Sequence, residues 1–278
     1  MWLNNTQKRE NKMKLPIDFE KIYQDYIDSE NEQNRKERYE GKESFYRASS
    51  SGFCSRKIYF ESVAQIEATN PTEPKGKRIM RLGTIVHEDL QNALVYKDNI
   101  INKEINNKEK EIKNKQKESF HIEGNVEIKE LNVRGHYDFV LEGDRVYLFD
   151  FKTIASWSYS KKFGRNKDFD PSIHQELQLG TYGYAIKEQF GRLDGMFLVY
   201  YNKDNSMMNS IEIPTTYASR AYNFWFNINE EHKRGLPDFK QGVSPVQDWN
   251  CSYCPYLDHC KPPNRKRKWY QRYMAQIE

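Results

Sequence analysis

The sequence has no apolar run of eighteen or more residues, so it predicts no membrane-spanning helix. Its first residues also lack an apolar stretch of signal-peptide length, which leads us to expect a cytoplasmic protein. Hydrophobic residues make up 37% and charged residues 30% of the 278 residues, a balance typical of a globular chain. These features direct the search for function to a folded domain outside the membrane.

A strong excess of charge is missing as well. The net charge is only +4, from 44 basic and 40 acidic residues, which is too small to indicate nucleic-acid binding by itself. Basic residues are concentrated in a tail at 261–278, whose first twelve positions carry no acid and six cations: Lys261, Arg265, Lys266, Arg267, Lys268 and Arg272. Such a cluster can neutralise DNA phosphates, and it can equally be a solvated tail.

Composition divides the chain into a polar, helical N-terminal extension at 1–47 and one enlarged α/β domain at 48–278. Within this domain, helical spacing of apolar residues predicts helices at Arg78–Tyr96 and Ser172–Phe190. The stretch at about 98–119 is rich in Asn, Lys, Glu and Ile, and we interpret it as a surface insertion, either a mobile loop or an exposed helical hairpin.

Strand patterns frame the most informative segment. Val146–Phe151 alternates so that Asp150 and Lys152 share one face with Val146 and Leu148, while aromatic residues occupy the other face. Both faces are largely apolar, which predicts a central strand. Burying charges in such a strand is costly unless they are paired or bind a metal.

A second acid, Asp138, lies on the preceding predicted strand, and the hairpin loop decides whether it can join Asp150. A two-residue loop would put Asp138 on the wrong face. A three-residue loop would pair Glu142 with Val146 and place Asp138 opposite Asp150. We expect the three-residue loop or a bulge.

Two adjacent carboxylates attract a hard divalent cation, so the pair predicts Mg²⁺ or Mn²⁺. Lys152 would orient the attacking water or neutralise charge on a phosphate. An Asp–Lys salt bridge without catalysis is the alternative for this segment alone. His87, on the first predicted helix, could add a nitrogen ligand that favours Mn²⁺ or serve structure only.

Accessory residues follow the predicted strand that ends near Lys152. His174, Gln178 and Tyr182 are spaced by four and form one polar stripe of a helix, which could hold a substrate strand or be an ordinary exposed face. Between strand and helix, aromatic residues mix with cations as in single-strand binding surfaces, at Trp157, Tyr159, Lys161, Lys162 and Arg165.

The chain has four cysteines, Cys54, Cys251, Cys254 and Cys260. Disulfides are not expected in a cytosolic chain of this size, and four thiolates can bind zinc or a [4Fe–4S] cluster. Structural zinc sites usually use two close pairs, so the one-plus-three spacing favours the cluster. Either site would join the N-terminal and C-terminal segments of the domain.

In order along the chain, these motifs resemble the RecB-like branch of the PD-(D/E)XK nucleases. They are similar to the iron–sulfur exonucleases of CRISPR adaptation, of the AddB subunit and of phage recombination. The resemblance covers about residues 48–260 and rests on Cys54, Gly83-x₃-His87, Gly135-x₂-Asp138, Asp150-Phe151-Lys152-Thr153, Gln178-x₃-Tyr182 and Cys251-x₂-Cys254-x₅-Cys260.

The resemblance implies a central mixed β-sheet flanked by helices, with an iron–sulfur region joining the two ends. It implies a metal held by His87, Asp138, Asp150 and the Phe151 carbonyl, and catalysis by Lys152 with Gln178 and Tyr182. It also implies a [4Fe–4S] cluster on the four cysteines and a DNA contact at Arg56, to which the residues themselves add Lys161 and Lys162.

The leading hypothesis is therefore a metal-dependent DNA exonuclease that acts on single strands or DNA ends in recombination, repair or phage DNA processing. Its protein partners would be recombination, helicase or CRISPR-adaptation proteins. A non-catalytic DNA-binding subunit is the second hypothesis, and a zinc-stabilised nuclease without iron is the third.

Overall fold

The computed structural model describes residues 17–39, 43–107, 118–165, 173–238, 251 and 254–260. The chain forms two units, residues 1–42 and 43–278. The described part of the first unit contains one helix, α1 (Phe19–Tyr39), whose side-chain pairs at i,i+4 spacing include Lys21 with Asp25. The extension at 1–47 stays a prediction, and the basic tail at 261–278 lies outside the described residues.

The second unit is built on a mixed six-stranded sheet. Its strands are β1 (Tyr46–Arg47), β2 (Ser119–Ile128), β3 (Val133–Glu142), β4 (Val146–Ile154), β5 (Gly195–Asn202) and β6 (Met208–Ile213). The order is β1-β3-β4-β5-β6, with β2 paired to β3. The β1–β3 and β4–β5 pairs are parallel, and the other pairs are antiparallel.

Helices flank this sheet, as expected for an α/β fold. They are α2 (Ser55–Ile58), α3 (Pro74–Asn107), α4 (Ser156–Phe163), α5 (Ile173–Phe190) and α6 (Thr216–His232). Short turns of 3-10 helix lie at Ala48–Ser50 and Lys129–Leu131, and a π-helical turn at Tyr59–Val63 follows α2. Within the part of the chain that the structure describes, no helix is long and apolar enough to cross a membrane.

The main core lies between the sheet and the pair α5–α6. Val146 and Leu148 of β4 point into it, as their alternation predicts, and Leu179 of α5 and Trp225 of α6 are fully buried there. The opposite face carries a row of ring contacts across four strands, from Phe120 through Phe139 and Phe149 to Phe197. Because α3 packs on β2 and β4, helices cover both faces of the sheet around the end of β4.

Two helices differ from the predicted pattern. α3 begins before Arg78 and continues to Asn107, so the first part of the predicted insertion at 98–119 is helical, while 108–117 lies outside the described residues. Half-buried Ile100 and Ile101 extend the apolar stripe of α3 into that polar sequence. α4 occupies a segment for which the sequence predicted no helix.

Candidate active site

The three predicted site residues meet where β3 and β4 separate. Glu142 pairs with Val146 and Phe139 with Phe149, so the hairpin has a three-residue loop, and the same register places Asp138 opposite Asp150. The predicted register is therefore confirmed. At the separation point the Phe151 N–H donates to Asp138 Oδ2 over 2.6 Å, so a side-chain carboxylate replaces the next backbone partner of β4.

Asp150 is the most deeply buried charge at this point, with 1% of its surface exposed. Burial raises its pKa to about 6, although the nearby Lys152 charge acts in the opposite direction, and Asp138 adds a further raising contribution. Lys152 Nζ lies 2.6 Å from Asp150 Oδ2. The two groups form a buried ion pair, so the Lys152 ammonium is the cation beside this carboxylate in the structure. Because a second acid, Asp138, lies next to Asp150, the pair of carboxylates can attract a further cation.

Lys152 is held from the other side by α5. Its ammonium donates to Gln178 Oε1 over 3.2 Å, and Gln178 Nε2 donates to the Tyr182 hydroxyl over 2.8 Å. Burial, followed by the charge of Asp150, raises the pKa of Tyr182, so its hydroxyl stays protonated. Residues 178 and 182 face each other because they lie one helical turn apart. The Lys–Gln–Tyr chain fixes where the ammonium can point.

His87 reaches the same point from α3. Its Nε2 lies 2.5 Å from the Phe151 carbonyl oxygen, and its Nδ1 lies 3.5 Å from Asp138 Oδ1. Burial would lower the pKa of His87, but the hydrogen bond and charge of Asp138 and the Phe151 carbonyl outweigh it, so the pKa is raised. Gly83 permits this close approach, since a Cβ there would lie 3.1 Å from Thr153 Oγ1.

The donor chemistry at the separation point fits a hard divalent cation. Carboxylate oxygens of Asp138 and Asp150 and the Phe151 carbonyl are ligand types that Mg²⁺ and Mn²⁺ prefer. The closeness of the two acids supports this fit, because neighbouring carboxylates repel each other unless cations offset their charge. Among the described residues, however, no three His, Cys, Asp or Glu side chains form a ready-made metal cage. Asp138, Asp150 and the Phe151 carbonyl thus offer suitable ligand atoms, which would move closer together when a metal binds.

A cleft of about 510 Å³ opens above these residues. Besides His87, Asp138, Phe151 and Lys152, its wall contains polar residues to which sequence reasoning gave no role, among them Glu88, Gln91, Glu123 and His136. Two of them carry a signal that could have identified them. His136 precedes Asp138 by two positions and so shares its strand face, and Glu88 follows His87 directly.

Glu123 also stands out by its backbone. It occupies the β2 position opposite Asp138, between the pairs Ile122–Phe139 and Gly124–Tyr137, and its φ of 51° is left-handed. That conformation is unfavourable for residues other than glycine and is frequent at functional sites. The distortion interrupts regular pairing of β2 with β3 beside the acid pair.

The predicted DNA-contact residues lie outside this cleft. Arg56 donates to the Pro237 carbonyl over 3.0 Å, and its guanidinium lies 5.6 Å from the centre of the Phe60 ring. Lys161 and Lys162 are on α4, with ammonium groups over the rings of Trp157 and Tyr200 at 4.0 and 5.1 Å. A role of these three residues in DNA binding stays a prediction.

The cysteine segments do meet. Thr69 and Asn70 N–H groups donate to the Pro255 carbonyl over 3.1 and 3.0 Å, and buried Cys254 and Cys260 pack with Phe60. Burial, followed by the charge of Cys254, raises the pKa of the Cys260 thiol to about 12, and Cys54 and Cys251 add to the shift. The thiols are thus electrostatically coupled, but within the described residues they are not grouped as a metal site.

Comparisons with known proteins agree with this architecture. Residues 94–261, more than half of the chain, match the family model of the PD-(D/E)XK nuclease superfamily. No curated protein matches the chain. The crystal structure of SSO0001 is similar, with a TM-score of 0.50 and 17% identity over 88% of this chain and 98% of that one.

Two further structures show lower similarity. The alkaline exonuclease LHK-Exo from Laribacter hongkongensis has a TM-score of 0.42 and 12% identity, over 68% of this chain and 88% of that one. Its complex with dAMP gives 0.36 and 14%, over 69% and 89%. The SSO0001 similarity supports the fold alone, and the family match covers the strands that carry Asp138, Asp150 and Lys152. The chain therefore belongs to the PD-(D/E)XK nuclease superfamily.

Proposed function

We propose that this chain is a metal-dependent DNA exonuclease that acts on single strands or DNA ends. The observation that carries the proposal is the buried Asp150–Lys152 ion pair beside Asp138, where Asp138 and Lys152 line an open cleft. A buried ion pair has a large desolvation cost and is weak evidence for stability, so its position beneath a cleft favours a catalytic role.

In the proposed reaction, Asp138, Asp150 and the Phe151 carbonyl would hold Mg²⁺ or Mn²⁺, with His87 as an additional ligand. When bound, the metal polarises the phosphate and makes water a better nucleophile. The water oxygen forms a bond to phosphorus, the scissile phosphorus–oxygen bond breaks, and the leaving oxygen takes up a proton. Lys152 stabilises the negative charge that develops on the phosphate, and Gln178 and Tyr182 hold its ammonium in place.

The test is digestion of 5′- and 3′-labelled single- and double-stranded DNA with added Mg²⁺ or Mn²⁺. We expect Asp150→Ala and Lys152→Ala to lower the cleavage rate by about 100-fold or more, since each removes charge stabilisation from the reaction. The matched controls are Asp144→Ala and Lys233→Ala, which remove exposed charges of the same sign elsewhere. Cleavage that survives in Asp150→Ala would overturn the assignment.

The same assay separates the second hypothesis, a non-catalytic DNA-binding subunit. That protein would bind labelled DNA without shortening it under any metal condition. The intact acid pair, lysine and glutamine favour catalysis, since a binding scaffold would not need a buried Asp150–Lys152 ion pair beside a second acid. The product pattern from the two end labels would also give the direction of digestion.

We further propose that Cys54, Cys251, Cys254 and Cys260 hold a [4Fe–4S] cluster. The meeting of the two cysteine segments supports this, since buried Cys254 and Cys260 pack with Phe60. Burial raises the pKa of Cys54 and Cys254, and the charges of Arg56 and Lys57 offset part of that rise. Broad visible absorbance of anaerobically purified protein, lost in Cys254→Ala, is the expected result. A colourless protein that contains zinc would refute the cluster and support the zinc-stabilised nuclease instead.

We propose that the protein acts in the cytoplasm and that DNA is its partner. Recombination, helicase or CRISPR-adaptation proteins are its proposed protein partners, in recombination, repair or phage DNA processing. Affinity purification of cross-linked complexes would test them, and recovery of none of these classes would argue for an enzyme that works alone.

A further inference from the structure

The outer face of α4 carries an exposed indole paired with a cation. Trp157 is 71% exposed, which is unusual because tryptophan is normally buried to a large extent. Lys161, one helical turn later, places its ammonium 4.0 Å from the centre of the Trp157 ring. A cation over an indole face is a favourable arrangement that fixes both groups in one place.

The inner face of α4 anchors the helix. Tyr159 is 7% exposed and its ring lies 4.8 Å from that of Phe163, which in turn contacts the Tyr200 ring of β5 at 5.7 Å. At the first turn, the Ser156 N–H donates to Asp204 Oδ2 over 2.7 Å. Residues 157 and 161 lie opposite residues 159 and 163 on a helix, so the indole points outward from a fixed support.

This face lies close to the candidate active site along the chain. β4 ends at Ile154, and a single residue separates it from α4. Five residues from Lys152 to Trp157 can span at most about 18 Å, since an extended chain covers about 3.6 Å per residue. A stacked DNA strand advances about 3.4 Å per nucleotide, so this backbone span corresponds to roughly five nucleotides, to which the lengths of the two side chains are added.

We propose that Trp157 and Lys161 form a binding site for an unpaired nucleotide of the substrate strand. The base stacks on the face of the indole away from Lys161, and the Lys161 ammonium attracts the adjoining phosphate. Bases inside a duplex are already paired and stacked, so only a single-stranded end can use this site. The inference rests on the proposed DNA nuclease function and specifies its substrate as a strand with an unpaired end.

Binding measurements on the full-length protein without added divalent metal test this site. We expect Trp157→Ala to weaken binding of a single-stranded oligonucleotide by about 5- to 150-fold, the usual range for loss of one base–aromatic stack. Binding of a blunt duplex should change less than about 2-fold, and Trp157→Phe should retain most of the affinity. The matched control is Phe226→Ala, which removes a 48% exposed aromatic side chain of α6.

Lys161→Gln gives a separate reading of the phosphate contact. Its affinity for single strands should fall less steeply with salt than that of the wild type, by about one unit of slope, as expected when one phosphate contact is lost. The control Lys233→Gln should leave the slope unchanged.

Abasic substitutions along the single strand show whether the indole stacks on a base. At one position, removal of the base should weaken binding by the wild type but not by Trp157→Ala, because the two changes remove the same contact. An equal loss of affinity in both proteins at every abasic position would overturn the proposal, as would a Trp157→Ala variant that loses duplex binding as much as single-strand binding.

If the wild type neither binds nor cuts any DNA, the proposed function fails. If a Trp157→Ala variant cuts normally and binds with wild-type affinity, only this site is refuted. If the Trp157 surface binds another protein instead of DNA, the Trp157→Ala variant would likewise cut normally and bind DNA with wild-type affinity.

Discussion

Lowering the pH should weaken metal binding at the separation point of β3 and β4. A carboxylate binds a cation only when it is deprotonated, so protons and metal compete for Asp150. Burial raises the pKa of this carboxyl to about 6 from an ordinary value of 3.8. Because the pKa is raised, protonation begins at a higher pH than usual, and metal affinity is lost as the pH falls through about 6.

The magnitude follows from the competition between one proton and one metal ion. The apparent dissociation constant increases by a factor of 1 + 10^(pKa − pH), which is about 1.1 at pH 7 and about 11 at pH 5 for a pKa of about 6. The expected weakening is therefore about 10-fold. An aspartate with an ordinary pKa would give a change of less than about 10% over the same range. Protonation of His87, whose pKa is also raised, would make the dependence steeper.

Isothermal titration of Mn²⁺ into the protein without DNA, between pH 5 and pH 8, measures this effect. Circular dichroism at each pH checks that the fold persists. In His87→Asn, which removes one of the two protonating groups, the dependence should become shallower. An apparent Mn²⁺ affinity that stays constant from pH 7 to pH 5 would refute a metal site that includes a buried, high-pKa Asp150.

One deletion and two substitutions test other parts of the structure. Deletion of Asp144 shortens the hairpin loop to two residues and should abolish cleavage by turning Asp138 away from Asp150, while Asp144→Asn retains activity. An active deletion variant would contradict the register argument. Tyr182→Phe removes the hydroxyl that accepts a hydrogen bond from Gln178 and should lower kcat by about 10-fold with little change in circular dichroism. An unchanged kcat would show that Gln178 and Tyr182 do not position Lys152. Thr181→Val leaves the buried Trp225 Nε1 without its acceptor and should lower the free energy of unfolding by about 1–3 kcal/mol, measured by urea denaturation. The control Thr181→Ser keeps the hydroxyl and should lower the free energy of unfolding by less.

The sheet was largely predictable because its strands carry strong local signals. Alternation in β4 identified which residues share a face, and parity of the loop reduced the position of Asp138 to two alternatives. The sequence could not choose between these alternatives alone, because the turn residues Gly143 and Asp144 are compatible with both. The three-residue loop was the expected choice, and the observed register confirms it.

The parts that sequence reasoning missed depend on distant contacts. α4 has only eight residues, and its anchors are Asp204, Asn202 and the Tyr200 ring, all far along the chain. The left-handed Glu123 is likewise set by the break in pairing between β2 and β3. Neither interaction leaves a periodic pattern in the local sequence, so propensity and spacing could not identify them.

The sequence predicted which residues would form the candidate site, but not how their side chains contact one another or how deeply they are buried. Spacing identified the Gln178–Tyr182 pair on one helix face, and the structure shows that the pair continues to Lys152. The burial of Asp150 and the raised pKa that results depend on how α5 and the sheet close around β4. Such burial is a tertiary property, and it decides whether an acid–lysine pair is a surface salt bridge or part of a catalytic site.

The most direct test of the account is anomalous diffraction from crystals of the protein grown with Mn²⁺. We predict a manganese peak within about 2.5 Å of oxygen atoms of Asp138, Asp150 and the Phe151 carbonyl, as metal–oxygen bonds require. An Asp150→Ala crystal grown in the same way should lack that peak. A manganese ion bound elsewhere, or no peak at this position in the wild type at saturating Mn²⁺, would contradict the proposed metal site.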